Sequence, residues 1–189
     1  MTSSDAVELI GHGLVLREWS EEDLDALTAM FDDPEIAYWT PVAAPFDKTA
    51  AQNYLDRIRW GRAQDDRVHL AITTDGREPK GEVMLNKSTG TIGYAVGAAY
   101  RGQRLAYRAV LLMTEYAHRV AGLARVSLEI EPDNAASAGV ARAVGYRLTD
   151  AAPVTVEDKG RRHTLLTWVH EDTDHDGSDQ DVHGQDTLR

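Results

Sequence analysis

Apolar positions along the chain repeat at two spacings, and each change of period marks an element. Leu14-Val15-Leu16-Arg17 alternates as a strand does, and Ser20-Glu21-Glu22-Asp23 offers a capping-box-like start to a helix with Leu24, Leu27 and Phe31 on one face. That helix should stop near Asp33-Pro34. Tyr38 to Phe46 holds two prolines and three aromatics and reads as an ordered loop with an apolar surface. A second helix, roughly Lys48 to Ala63, turns Tyr54, Leu55 and Ile58 inward. Strands are expected at Val68 to Thr73, Gly81 to Leu85 and Thr91 to Val96. Their short spacers, with turn signals at Asp75-Gly76 and Asn86 to Gly90, suit an antiparallel meander.

From Leu105 the period becomes helical: Leu105, Ala109, Leu112, Met113, Tyr116, Ala117 and Val120 share a face, and Gly122 is a natural C-terminal cap. Val126, Leu128 and Ile130 then alternate as a strand, and Pro132-Asp133-Asn134 leads into a short helix ended at Gly145. Thr164 to Val169 forms the last strand. There is no internal repeat, so residues 1–170 are expected to be one domain. Residues 171–189 carry two apolar side chains among acids and polar groups, too few to offset ordering entropy, and read as a disordered tail.

Composition narrows the chemistry. The 189 residues include no cysteine, which excludes disulfides, thiolate metal sites and a cysteine nucleophile, and suits a reducing cytoplasm. The net charge of -11 is concentrated in the tail, where seven acids face one arginine, leaving 24 acids against 19 bases elsewhere. That balance argues against nucleic acid as a partner and mildly favours cationic acceptors. No secretory leader and no membrane-spanning run is evident, so a soluble cytoplasmic protein is expected. No metal is expected. The seven histidines include no i, i+4 pair on a convincing helix, and His118 should face solvent. Asp172 to His183 starts like a calcium loop, but its twelfth position is His183.

The residues that carry chemistry lie where the third meander strand runs through Gly97-Ala98-Ala99-Tyr100-Arg101-Gly102-Gln103-Arg104 into the long helix at Leu105-Ala106. A helix N-terminus presents unpaired N–H groups and a positive dipole end, and small residues let an anion approach the backbone. Arg101 and Arg104 could serve such an anion or simply form a solvated surface. Asn134 is a good N-cap for the later short helix and sets Ser137 at its third position.

Strand, R-G-Q-R-L-A, long helix, strand, then P-D-N-A-A-S and a short helix resembles the GNAT superfamily of N-acetyltransferases, nearest its RimJ/RimL ribosomal-protein-type branch, over roughly residues 14–169. The resemblance implies a mixed α/β domain with a mostly antiparallel central sheet flanked by helices. It implies acetyl-CoA as co-substrate, held by Arg101, Gly102, Gln103, Arg104, Leu105 and Ala106 at its pyrophosphate, by Val96 along the pantetheine arm, and by Asn134. Arg104 stands where the family motif has glycine, so any role needing a positive φ there is strained.

The pantetheine arm would enter a splayed gap between Thr91–Val96 and Val126–Ile130. Ser137 would be catalytic, hydrogen bonding to the departing thiolate. The acceptor would be a primary amine, of a protein N-terminus or a small molecule, attacking directly in a ternary complex. Tyr38 to Phe46 and Glu157 to His163 would shape its pocket, with Trp39 and Phe46 either lining it or anchoring the loop. Glu82, Glu129, Glu157 or a water are the candidate bases. A homodimer is compatible with this frame, and a non-catalytic acyl-CoA-binding module is the alternative.

Overall fold

A nine-stranded sheet, with strand order β1-β2-β3-β4-β5-β6-β9-β7 and β8 paired on β9, organises the chain. The computed structural model describes residues 6–172, so the tail beyond Asp172, with most of the calcium-loop-like segment, lies outside the described residues. The strands are β1 (Glu8–Gly11), β2 (Leu14–Glu18), β3 (Arg67–Thr73), β4 (Gly81–Asn86), β5 (Thr91–Val96), β6 (Arg125–Ile130), β7 (Arg147–Leu148), β8 (Val154–Asp158) and β9 (Arg161–Glu171). All pairings are antiparallel except β5 with β6, in agreement with the expected fold class.

Side-chain alternation divides the sheet between two layers. Val68, Leu70 and Ile72 of β3 point to a core shared with α4 (Leu105–Arg119) and α5 (Ala135–Val144). Ala71 points the other way, to a core built with α1 (Leu24–Phe31) and α3 (Lys48–Ala63). The helical stripe read from Leu105 is buried through Ala117, apart from the half-buried Tyr116, but Val120 is 71% exposed because α4 ends at Arg119. The cap before α1 also forms: Ser20 N and Oγ donate to Asp23 Oδ2 at 2.9 and 3.0 Å, and Arg17 Nη1 and Nη2 grip the same carboxylate at 2.7 and 2.8 Å.

Four features depart from the sequence reading, the two-residue β7 among them. Asp33-Pro34 ends α1 as expected but at once starts α2 (Pro34–Trp39). Proline suits the first helical position, and Asp33 Oδ1 accepts from Glu35 N and Ile36 N at 2.8 and 2.9 Å. Two tight hairpins were also missed, β1–β2 across His12-Gly13 (φ 52° and 70°) and β8–β9 across Lys159-Gly160 (φ 49° and 72°). Paired positive φ values match strand twist in two-residue turns. Among the described residues, no helix is long and apolar enough to cross a membrane.

His118 does not face solvent as expected. Its Nδ1 donates to the Leu123 carbonyl at 2.5 Å and its Nε2 lies 3.0 Å from His170 Nδ1 on β9. Burial, then the neighbouring His118, holds the His170 imidazole below its ordinary value of 6.5. A base with a depressed folded pKa contributes stability that is complete above the unfolded value and is lost as pH falls through the folded one. Burial alone would raise the Asp23 carboxyl, but Arg17 and Ser20 outweigh it and hold it below its ordinary 3.8. The melting temperature is therefore expected to fall first below pH 6.5 and again below 3.8. Thermal melts of His170→Gln should lack the first step; its persistence would assign that step to other histidines.

Candidate functional site

The site begins where the sheet comes apart. β5 is paired with β4 along its whole length, from Gly81↔Val96 to Asn86↔Thr91, but touches β6 in register only at Thr91↔Ser127. The contact rests on Gly90: Ser127 N donates to its carbonyl at 2.9 Å, and a Cβ there would lie 2.9 Å from Arg125 O. Beyond Thr91 the strands diverge, giving the wedge expected between them. A strand edge without a partner leaves backbone donors and acceptors for an extended ligand.

The wedge leads to the N-terminus of α4, whose first-turn N–H groups have no intrahelical partners. Gly102 (φ 80°) and Arg104 (φ 57°) both adopt left-handed conformations. Arg104 thus keeps the backbone shape that a glycine would give freely, at about 1 kcal/mol of strain. Its guanidinium sits 4.8 Å from the centre of the Tyr107 ring. Arg108 braces the loop by donating to the carbonyls of Gln103, His12 and Gly13.

Two cavities follow this path. The first, about 340 Å³, is lined by Val96, Arg101, Gly102, Arg104, Leu105 and Ala106, opposite α5. No carboxylate lines it, and two arginines border it, so its electrostatics suit an anion. Gln103, expected with this group, lines neither cavity. The second, about 190 Å³, shares Val96, Arg101 and Ala106 with the first and reaches Asn134, Ser137 and Tyr94.

Asn134 caps α5 as expected, its Oδ1 accepting from Ser137 N at 3.0 Å. That bond uses the serine's backbone and leaves its hydroxyl for the cavity. Facing it is Tyr94, which sequence reasoning missed. Among the described residues the buried Tyr94 hydroxyl is left without a well-formed hydrogen bond, and the Ser137 side chain lies near enough to act on it. Burial pushes the phenol up and Ser137 opposes the shift in part, so it is protonated at neutral pH and available as a hydrogen-bond donor. Its signal in the sequence was a polar-tipped aromatic between Gly93 and Ala95, in the strand beside the wedge.

The two segments expected to shape the acceptor pocket meet here. Lys159 Nζ donates to the carbonyls of Ala37 and Thr40, both at 2.6 Å, closing the C-terminal end of α2. Arg161 forks onto Glu131 at 2.7 Å twice, donates to Tyr38 O at 2.8 Å and lies 4.1 Å from the Tyr38 ring centre. Trp39 lines the second cavity, whereas Phe46 is an anchor, packed edge-on to Phe31 and Tyr54 at 5.3 and 5.9 Å.

None of the three candidate bases lines either cavity. Glu129 and Glu157 are exposed, opposite Thr167 and Arg162. Glu82 is buried and already accepts three bonds, from Trp19 Nε1 at 2.8 Å, Tyr54 OH at 2.5 Å and His69 Nδ1 at 3.2 Å.

Comparison with known proteins matches residues 13–147 to the acetyltransferase (GNAT) domain. An uncharacterized N-acetyltransferase of Bacillus licheniformis, p20, is 24% identical over 140 residues, 71% of this chain and 79% of that protein. Among solved structures, Mycobacterium smegmatis RimJ in complex with CoA-disulfide superposes with a TM-score of 0.75 at 18% identity, over 88% of this chain and 86% of that one. The Vibrio fischeri ribosomal-protein-S5-alanine acetyltransferase also gives 0.75, at 17% identity, over 89% and 98%.

Proposed function

The chain belongs to the acetyltransferase (GNAT) family and is an N-acetyltransferase, and on that premise we propose that it moves the acetyl group of acetyl-CoA to a primary amine by direct attack in a ternary complex. The observation that carries this reading is the pair of joined cavities along the β5–β6 wedge, basic at the α4 end and hydroxyl-bearing at the α5 end. The first would take the pyrophosphate on the N–H groups of the first turn of α4, with Arg101 and Arg104 alongside. The pantetheine arm would lie along the free edge of β5 past Val96.

Acetyl-CoA supplies a thioester carbonyl and a thiol leaving group at the second cavity. Holding amine and thioester together supplies much of the rate by proximity, without a covalent enzyme intermediate. The amine attacks as the neutral base, its ammonium form having first lost a proton to water. As the C–N bond forms and the C–S bond breaks, negative charge grows on sulfur, and the proton shed by the nitrogen reaches the departing thiolate through water. Ser137 would donate a hydrogen bond to it, in a pocket where Tyr94 adds a second neutral donor. The Vibrio fischeri relative, named for an alanine of ribosomal protein S5, supports a protein amine such as an N-terminus as acceptor, and the small cavity equally suits a small amine.

Calorimetric titration with acetyl-CoA, with dephospho-CoA and free pantetheine as controls, tests the donor. Binding should be saturable and should weaken as phosphates are removed; no binding at millimolar concentration would exclude the reading. Gly102→Glu adds bulk and charge in a left-handed position beside that site, and should weaken acetyl-CoA about tenfold or more through like-charge repulsion. Unchanged affinity would move the pyrophosphate elsewhere.

A further inference from the structure

Arg101 borders both cavities, and its guanidinium ties the first to α2. Nη1 donates to Glu35 Oε2 at 2.5 Å and Nη2 lies 3.4 Å from Asp33 Oδ1. The two acids differ in what else they do. Asp33 Oδ1 caps α2 and stays occupied whatever Arg101 does. Among the described residues Glu35 is the one carboxylate lining the two cavities, and it lines the second together with Trp39, Tyr94 and Ser137.

An acid at the hydroxyl-bearing end is thus neutralised by an arginine that also faces the anion end. We propose that Glu35 receives the ammonium of the acceptor, and that Arg101 exchanges between Glu35 and the phosphates of acetyl-CoA, so that loading the donor frees the acceptor site. The proposal rests on the acetyl-CoA reading above and names the acceptor class at that same site, a protonated amine.

The exchange runs in the right direction. The Arg101–Glu35 pair is solvent-exposed, with side chains 38% and 60% accessible, and such pairs are weak. A pyrophosphate offers the guanidinium two charged oxygens in bidentate geometry, a stronger contact. Once released, Glu35 is an unpaired negative charge at the edge of a cavity, which attracts the ammonium and holds it near Ser137, where it attacks after losing a proton to water.

Glu35→Gln tests both halves, because it keeps the side-chain shape and leaves the Asp33 cap in place. In calorimetry the variant should bind acetyl-CoA about two- to fivefold more tightly, the size of a lost competing surface ion pair. With the better acceptor of spermidine and a peptide bearing a free α-amine, its KM for the amine should rise about tenfold, the size of a lost contact to a charged group. Opposite signs on the two substrates are the signature, since a mere loosening of α2 would weaken both. Unchanged or weaker acetyl-CoA binding, or an unchanged amine KM, overturns the proposal. If the wild-type protein neither binds acetyl-CoA nor acetylates either amine, the reading beneath it falls as well.

Discussion

Replacing Ser137 with alanine is expected to lower kcat about 10- to 100-fold, the usual size of a general-acid contribution, with little change in acetyl-CoA affinity. The two effects separate because the serine acts through different atoms. Its backbone N–H completes the Asn134 cap and survives the substitution, while its hydroxyl faces the second cavity and does not. Steady-state rates at saturating amine measure the first effect and calorimetry the second. An acetyl thioester with a more acidic thiol should recover part of the lost rate, since its sulfur needs less help in leaving. An unchanged kcat would remove Ser137 from the reaction and leave the Tyr94 phenol as the donor facing that cavity.

Glu82→Ala is expected to have the largest effect on stability, about 3 to 5 kcal/mol, as for breaking a buried charged network by removing one partner. Three donors converge on this carboxylate, from β2–α1, α3 and β3: the Trp19 indole, the Tyr54 phenol and the His69 imidazole. Burial, then the charge of Glu82, holds the Tyr54 phenol well above its ordinary value, so it remains a donor. Glu82→Gln keeps one acceptor oxygen and should lose less. Urea unfolding measures both variants. A loss under about 1 kcal/mol for the alanine variant would mean that water replaces the carboxylate, against the full desolvation cost expected for buried donors.

How far the site could be read in advance depended on whether a residue acts through local chain chemistry. Asn134 and Ser137 are cap positions, fixed by a helix that starts where proline, aspartate and asparagine say it should. The α4 terminus follows from the change of period at Leu105, whereas the wedge was legible only through the resemblance to the family. Gln103 shares that local frame, and its carbonyl accepts from Arg108. Tyr94 had only the weak mark of a polar-tipped aromatic among small residues, and nothing in its own segment marks Glu35. Tyr94 is chemically distinct only because α5 covers it, and Glu35 only because Arg101 reaches it from 66 residues away. The same limit explains α2: Asp33-Pro34 carries both a stop and a start signal, and the stop was the easier to read. Helix α4 and the meander were legible because their apolar spacing is long and regular, whereas β7 has two residues and no period at all.

The pins on α2 set an order of assembly. Lys159 reaches carbonyls 122 and 119 residues earlier in the chain, and Arg161 one that is 123 residues earlier. Contacts so distant in sequence are late and entropically expensive to close. The loop before α4 is held over shorter spans, by Arg108 on the carbonyls of His12 and Gly13, 96 and 95 residues earlier, and by Arg101 on Glu35, 66 residues earlier. During synthesis, then, the elements that would grip the donor can form while the β8–β9 hairpin is still being made, and the wall that would choose the acceptor is completed last.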